Sequence, residues 1–245
     1  MAESREPKAF GAPRAAFMGG VRRALGVPAL VLASSFLGFG ALVHQVGLSV
    51  WHGLFSTATA WALPGQVALL ELYAVGASLA VIAGAVALVN ARLLPMTITL
   101  MPLLRGPGWP RWAYYLAANW IAVTAWAAGQ RDCPALPEEE RLPYFFGMSM
   151  LLWGATLVTT AVGFALADAV PFSITLGLVF VNPIYFMLVF AADVRSRPRV
   201  MALLLGALLG PPLYLLNPDW SLPATGLLAG SGALLLDLLL KRRHA

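Results

Sequence analysis

The chain has 245 residues, 60% of them hydrophobic and 11% charged, with a mean hydropathy of +0.78. A soluble domain needs a charged surface that this composition does not supply, so a polytopic all-α membrane protein embedded in the lipid bilayer is expected. The formal charge of +5 comes without a basic patch interleaved with aromatics, which argues against a nucleic-acid partner, and the lone cysteine, Cys133, excludes an internal disulfide and a thiolate metal site.

Residues 1–23 mix charges with Pro and Gly and read as a flexible cytoplasmic tail. Arg22 and Arg23 before an apolar run resemble an export signal. That run is about as long as a full span and no A-x-A-like cleavage site follows it, so the two arginines act as topological charges. Gly26 to Val46 is the first span. The next apolar run, Gly53 to Tyr73, is interrupted by Pro64-Gly65 beside Gln66, with Ser56, Thr57 and Thr59 before the interruption. A broken helix at membrane depth is tolerated where protein or a water-filled cavity satisfies the freed backbone groups.

Leu79 to Pro102 is long enough to cross a bilayer, yet it carries Asn90 and Arg92 at its centre and Pro95 just after. A guanidinium there costs a few kcal/mol on insertion scales and needs a partner, water or a ligand. Asn90 and Arg92 lie about 200° apart round a helix, so both face one site only if the helix unwinds nearby or Arg92 bends round. Glu71 is the alternative partner for Arg92, as a gating or structural pair. Arg105 and Arg111 follow in a Gly-Pro loop, then a span from Trp112 to Gly129 and the acidic loop Gln130 to Arg141. Leu142 to Ala167 carries no charge and spans; Ala169 to Ala192 is interrupted at Asn182-Pro183; Val200 to Leu216 and Leu222 to Leu240 complete the chain before Lys241, Arg242 and Arg243.

Two layouts fit these segments. Eight crossings place Arg105 and Arg111 outside. Alternatively, six spans plus two re-entrant segments, broken at Pro64-Gly65 and Asn182-Pro183, place all four basic clusters inside. The second layout gives a tail (1–23), a half from 24 to 129, an external acidic loop (130–141), a half from 142 to 240 and a cytoplasmic end (241–245), with the halves inverted. Broken segments in corresponding positions of inverted halves point to a secondary transporter's binding site, here Pro64, Gly65, Gln66, Asn90, Arg92, Asn182 and Pro183.

The Gly-Pro start of the first span, the small-residue segment ending in Gln66, the Asn90-Ala91-Arg92 element and Pro102-Leu103-Leu104-Arg105 resemble the AzlC-type branched-chain amino-acid permease family. Gly163 to Leu166 and Leu176 to Phe180 agree with it. The resemblance implies export of branched-chain amino acids across a bacterial cytoplasmic (inner) membrane, both termini inside, by a large subunit working with a small AzlD-type membrane partner. It implies no cofactor. Many members follow Asn-x-Arg with a His and carry an Asp-Glu pair; here Leu93, Leu94 and Pro95 follow, and Thr124-Ala125-Trp126 occupies the position of the pair.

An amino-acid substrate needs its carboxylate and ammonium met in a low dielectric, and Arg92 suits the carboxylate by bidentate donation. Asn90, Gln66 and carbonyls near Pro64 or Asn182 suit the ammonium. An intramembrane enzyme is the second class. The three histidines, His44, His52 and His244, form no H-E-x-x-H and the chain has no G-x-S-x-G, so neither hydrolase pattern is present. A non-transporting membrane scaffold is the third class, and its spans should lack mid-membrane charges and broken helices.

Overall fold

The computed structural model describes residues 10–169, 171–192, 197–216 and 218–243. Twelve α-helices and one 3-10 turn are assigned among them, with no strand. The chain divides into two compact units, residues 1–183 and 184–245.

In the first unit the long helix α9 (Glu138–Ala165) is the axis, and α1 (Pro13–Ala24) and α2 (Val27–Gln45) lie along it. At the α2 crossing a Cβ on Gly40 would strike the Thr160 carbonyl, and one on Gly163 would strike the Leu37 carbonyl, so only glycine permits the approach. Further on, the His44 ring packs edge-on against Phe164 at 4.9 Å, and its Nδ1 lies 3.8 Å from Asp168 Oδ1. Both helices therefore advance in the same direction. Inverted halves would set these two first spans antiparallel, so the expected inversion is not what α2 and α9 display.

Next, α3 (Val50–Ala60) runs from the C-terminal end of α9 toward its middle, with Gly53 against Thr160 and the Trp61 indole donating to Thr156 Oγ1 at 3.1 Å. The chain turns at Trp61, whose φ of 34° is left-handed, and α4 (Leu63–Ala74) doubles back. Ten residues along a straight helix cover about 15 Å. Gln66 Nε2 nevertheless donates to Ser56 Oγ at 2.9 Å and Thr57 Oγ1 at 3.1 Å, which only a hairpin allows. The break thus comes at Trp61-Ala62, ahead of Pro64, which sits in the first turn of α4 where no intrahelical N–H is needed.

Antiparallel to α4 runs α5 (Leu79–Asn90), followed after a bend of 43° by α6 (Leu93–Leu104). The latter heads to the N-terminal end of α9, where Arg141 Nη1 reaches the Leu103 carbonyl at 3.5 Å. Then α7 (Arg111–Asn119) starts beside Gly106, whose N–H and carbonyl both bond the Tyr114 hydroxyl, and it climbs until Trp120 meets Phe146 and Trp153 at ring distances of 5.6 and 5.8 Å. After a break at 120–122, α8 (Val123–Asp132) returns, so that Tyr144 donates to Asp132 Oδ2 at 2.8 Å. The segment expected to span, Trp112 to Gly129, is a second hairpin.

Two positional expectations change as a result. The segment 1–23 is not loose from Pro13 on: α1 buries Ala16 and Gly20, and the Phe10 and Gly11 amides donate to the Glu140 carboxylate at 2.8 and 2.6 Å. Arg23 Nε donates to Asp132 at 3.1 Å, so tail and acidic loop share one end of α9 where opposite sides were expected. Burial disfavours the Asp132 carboxylate, but hydrogen bonds from Arg131, Tyr144 and Arg23 outweigh it and hold its pKa below the ordinary value. Cys133, in the 3-10 turn Cys133–Ala135, is fully buried beside that carboxylate, and its thiol is pushed up to about 12, mainly by burial.

Helix α10 (Phe172–Ala192) runs unbroken through Asn182 and Pro183, so the second interruption expected from the sequence is absent from the backbone. In the second unit α11 (Arg197–Leu216) and α12 (Pro218–Arg243) form an antiparallel pair in which Gly206 meets Ala229 and Gly210 meets Thr225. Among the described residues α2 and α9 are long and apolar enough to cross a membrane, α5–α6 is a third such element if counted as one span, and shorter apolar helices accompany them.

Candidate functional site

Two hairpins thus approach from opposite ends of α9 and turn near its middle, and the bend between α5 and α6 lies beside the first of them. Gly65, in the first turn of α4, is pressed against the Asn90 side chain so closely that an added Cβ would lie 2.5 Å from Asn90 Oδ1. Asn90 is the last residue of α5 and Arg92 the cap of α6. The sequence required unwinding if both side chains were to serve one site, and the helix breaks between them, at Ala91-Arg92.

The first tip holds polar atoms in unequal states. Gln66 is 2% exposed; its amide nitrogen is satisfied by Ser56 and Thr57, while its Oε1 is buried without a partner. Asn90 Oδ1 and Arg92 Nε are likewise buried and unpartnered. Thr57 lies 3.4 Å from Thr160 hydroxyl to hydroxyl, and Trp153 Nε1 donates to the Ala58 carbonyl at 3.3 Å, so α9 fixes this tip through side chains on one face. Buried polar atoms without partners are few in native proteins and call for a ligand, a water or an ion. Two acceptors at this tip suit an ammonium, and a donor at the adjacent bend suits a carboxylate.

Of the residues expected from sequence, Pro64, Gly65, Gln66 and Asn90 come together at this tip, and Arg92 begins the adjacent bend. Glu71 is exposed on α4, and no ion pair joins it to Arg92 among the described residues. The Asn182 side chain lies outside the described residues, and Pro183 is exposed within α10. Sequence reasoning missed Trp61 and the whole second tip. Ile121 to Ala125 are buried there, and Thr124 Oγ1 has no partner. On α9, Ser149 Oγ is also buried and unpartnered, and Ser149 lies between the two residues that grip Trp120. No proline or glycine marks the break at 120–122, so only the Asn119-Trp120 pair interrupting an apolar run hints at it.

On the opposite face of α9, Met150, Gly154 and Val158 line an open apolar groove of about 370 Å³. At 100° per residue this stripe points away from Trp153, Thr156 and Thr160, so it is separate from the tips.

A family model described as AzlC protein matches residues 28–170. The chain belongs to the AzlC family. This match covers more than half of the chain, from α2 to just past α9, and so includes both hairpins; the likeness read at Leu176 to Phe180 lies beyond it. No curated protein and no solved structure matches the chain. AzlC proteins are a family of membrane transporters, which accords with a multi-pass membrane protein and with a role other than catalysis.

Proposed function

We propose that this AzlC protein is a secondary transporter that exports branched-chain or similarly apolar amino acids across the bacterial inner membrane. The observation that supports the reading is the pair of unpartnered buried acceptors at the first tip, Gln66 Oε1 and Asn90 Oδ1, with an unpartnered buried donor, Arg92 Nε, two residues past Asn90 at the adjoining helix bend. Arg92 takes the carboxylate and the two amide oxygens take the ammonium. Pro64 and Gly65 give the backbone its turn and its close approach. Hairpins from opposite ends suit alternating access, because each can close one path to a site that stays at mid-depth.

Orientation follows from charge. Arg22, Arg23, Arg105, Arg111, Arg131 and Arg141 gather at the N-terminal end of α9, which the positive-inside rule assigns to the cytoplasm. The N-terminus is then inside, and by the same rule so are Lys241, Arg242 and Arg243 at the C-terminus. A small AzlD-type membrane subunit completes the assembly.

Efflux of labelled leucine, valine and methionine from proteoliposomes, with and without a proton gradient, tests the activity. Replacing Arg92 by Gln is expected to reduce efflux at least about 100-fold while insertion is unchanged, as loss of a charge-assisted contact in a buried site predicts. Unchanged kinetics in that variant would remove Arg92 from the site.

A further inference from the structure

We infer that the tip of the second hairpin is a separate carboxylate-binding site, formed by the backbone amides of Val123, Thr124 and Ala125 and the hydroxyl of Thr124. The first backbone bond of α8 runs from Trp126 N to the Ala122 carbonyl at 2.8 Å, so the three preceding amides have no acceptor among the described residues. Ala122 has no side-chain oxygen to cap them. These residues are nevertheless 8%, 6% and 0% exposed, and Thr124 Oγ1, buried in the same turn, has no partner either. A helix start normally finds water or a cap for its orphan donors, and burial removes the first while the sequence withholds the second.

Four donors at the positive end of a helix select an anion. The absence of a basic side chain in the turn favours a single charge held weakly over a phosphate. A carboxylate fits, since its two oxygens can share amides with the hydroxyl. Ser149, whose hydroxyl is also buried and unpartnered, lies on α9 between Phe146 and Trp153, the residues that hold Trp120, and so borders the same tip. Identifying the anion as the substrate's own carboxylate rests on the transport reading; the preference for an anion does not. The first tip offers acceptors and a donor for a whole zwitterion, whereas the second offers donors only. Substrate entering from the cytoplasmic end meets the second hairpin on that path, so weak capture of its carboxylate there precedes full recognition at the first tip.

The test uses the full chain in nanodiscs and two halves of leucine as probes: labelled 4-methylpentanoate, which keeps the carboxylate and lacks the amine, and 3-methylbutylamine, which is the converse. Wild-type protein is expected to bind 4-methylpentanoate at millimolar concentration or below, without competition from the amine. Thr124→Val should weaken that binding about tenfold and Thr124→Ser should restore it, with Ser149→Ala a smaller loss. In an Arg92→Gln background, where the first tip has lost its own carboxylate ligand, the remaining 4-methylpentanoate binding should still fall about tenfold on adding Thr124→Val. Absence of carboxylate binding in the wild type, or equal binding in Thr124→Val, overturns the site. Carboxylate binding that depends on Thr124 in a protein that moves no amino acid leaves the anion site standing and sinks the transport reading instead.

Discussion

The two hairpins reach the same depth by different chemistry. The first is bonded to α9 and to itself through directional polar contacts: Trp61 to Thr156, Trp153 to the Ala58 carbonyl, and Gln66 to Ser56 and Thr57. The second rests its tip on α9 through the rings of Trp120, Phe146 and Trp153 and is tied to α6 by one bond, Trp126 to Thr99 at 3.0 Å. Hydrogen bonds fix angle and register, while aromatic faces tolerate sliding at little cost. On the proposed transport reading, the first tip would be the fixed recognition element and the second the moving one. It also explains why the left-handed Trp61, a strain of about 1–2 kcal/mol, persists where its indole is bonded.

The all-or-none consequence concerns sides. Reporters inserted at Gly76 and Gly108 should report opposite faces of the membrane, since Gly76 lies in the turn between α4 and α5 and Gly108 in the loop before α7; a shared face would dissolve the opposed hairpins. Next in size is Gly65→Ala, whose Cβ would displace Asn90 and lower leucine efflux about tenfold or more, whereas Gly84→Ala, with no atom within 4 Å, should leave efflux unchanged. Trp120→Ala should cost about 2–4 kcal/mol of stability in detergent and Trp120→Phe much less, because rings rather than bonds seat that tip. Trp61→Phe should reverse the order of consequence, altering KM for leucine more than melting temperature.

The smallest effect is at the N-terminal end of α9. The depressed pKa of Asp132 means that its contribution is present above the ordinary carboxylate pKa, near 4, and is lost as pH falls through the lower folded value. Asp132→Asn should therefore lower the melting temperature at pH 7 by an amount corresponding to about 1–3 kcal/mol, and flatten the acid limb of the stability curve. Retention of a steep acid limb in that variant would assign it to other carboxylates.

Composition made the helical membrane class legible, and the cost of a charge in hydrocarbon singled out Arg92. Pro64-Gly65 pointed to a break in its segment because proline and glycine mark local backbone behaviour, although the turn itself comes just ahead, at Trp61-Ala62. Pro183 misled for the same reason: a proline inside a helix removes one bond, and α10 continues past it. The second break was not legible, since tertiary contacts of Trp120 create it and no local residue does. Direction was equally hidden. Hydropathy says that Gly26 to Val46 and Leu142 to Ala167 are apolar, but only the contacts of Gly40, Gly163 and His44 say that they run together.

Cys133 carries a practical consequence. Burial pushes the Cys133 thiol up to about 12 and closes it off from solvent, so it is held in the unreactive thiol form at pH 7. The native chain is thus already a silent background for labelling. A single cysteine introduced at either hairpin would be its one reactive thiol, and a pair of spin labels placed on Thr59 and Tyr115 would test, without first removing anything, whether the two hairpins move apart.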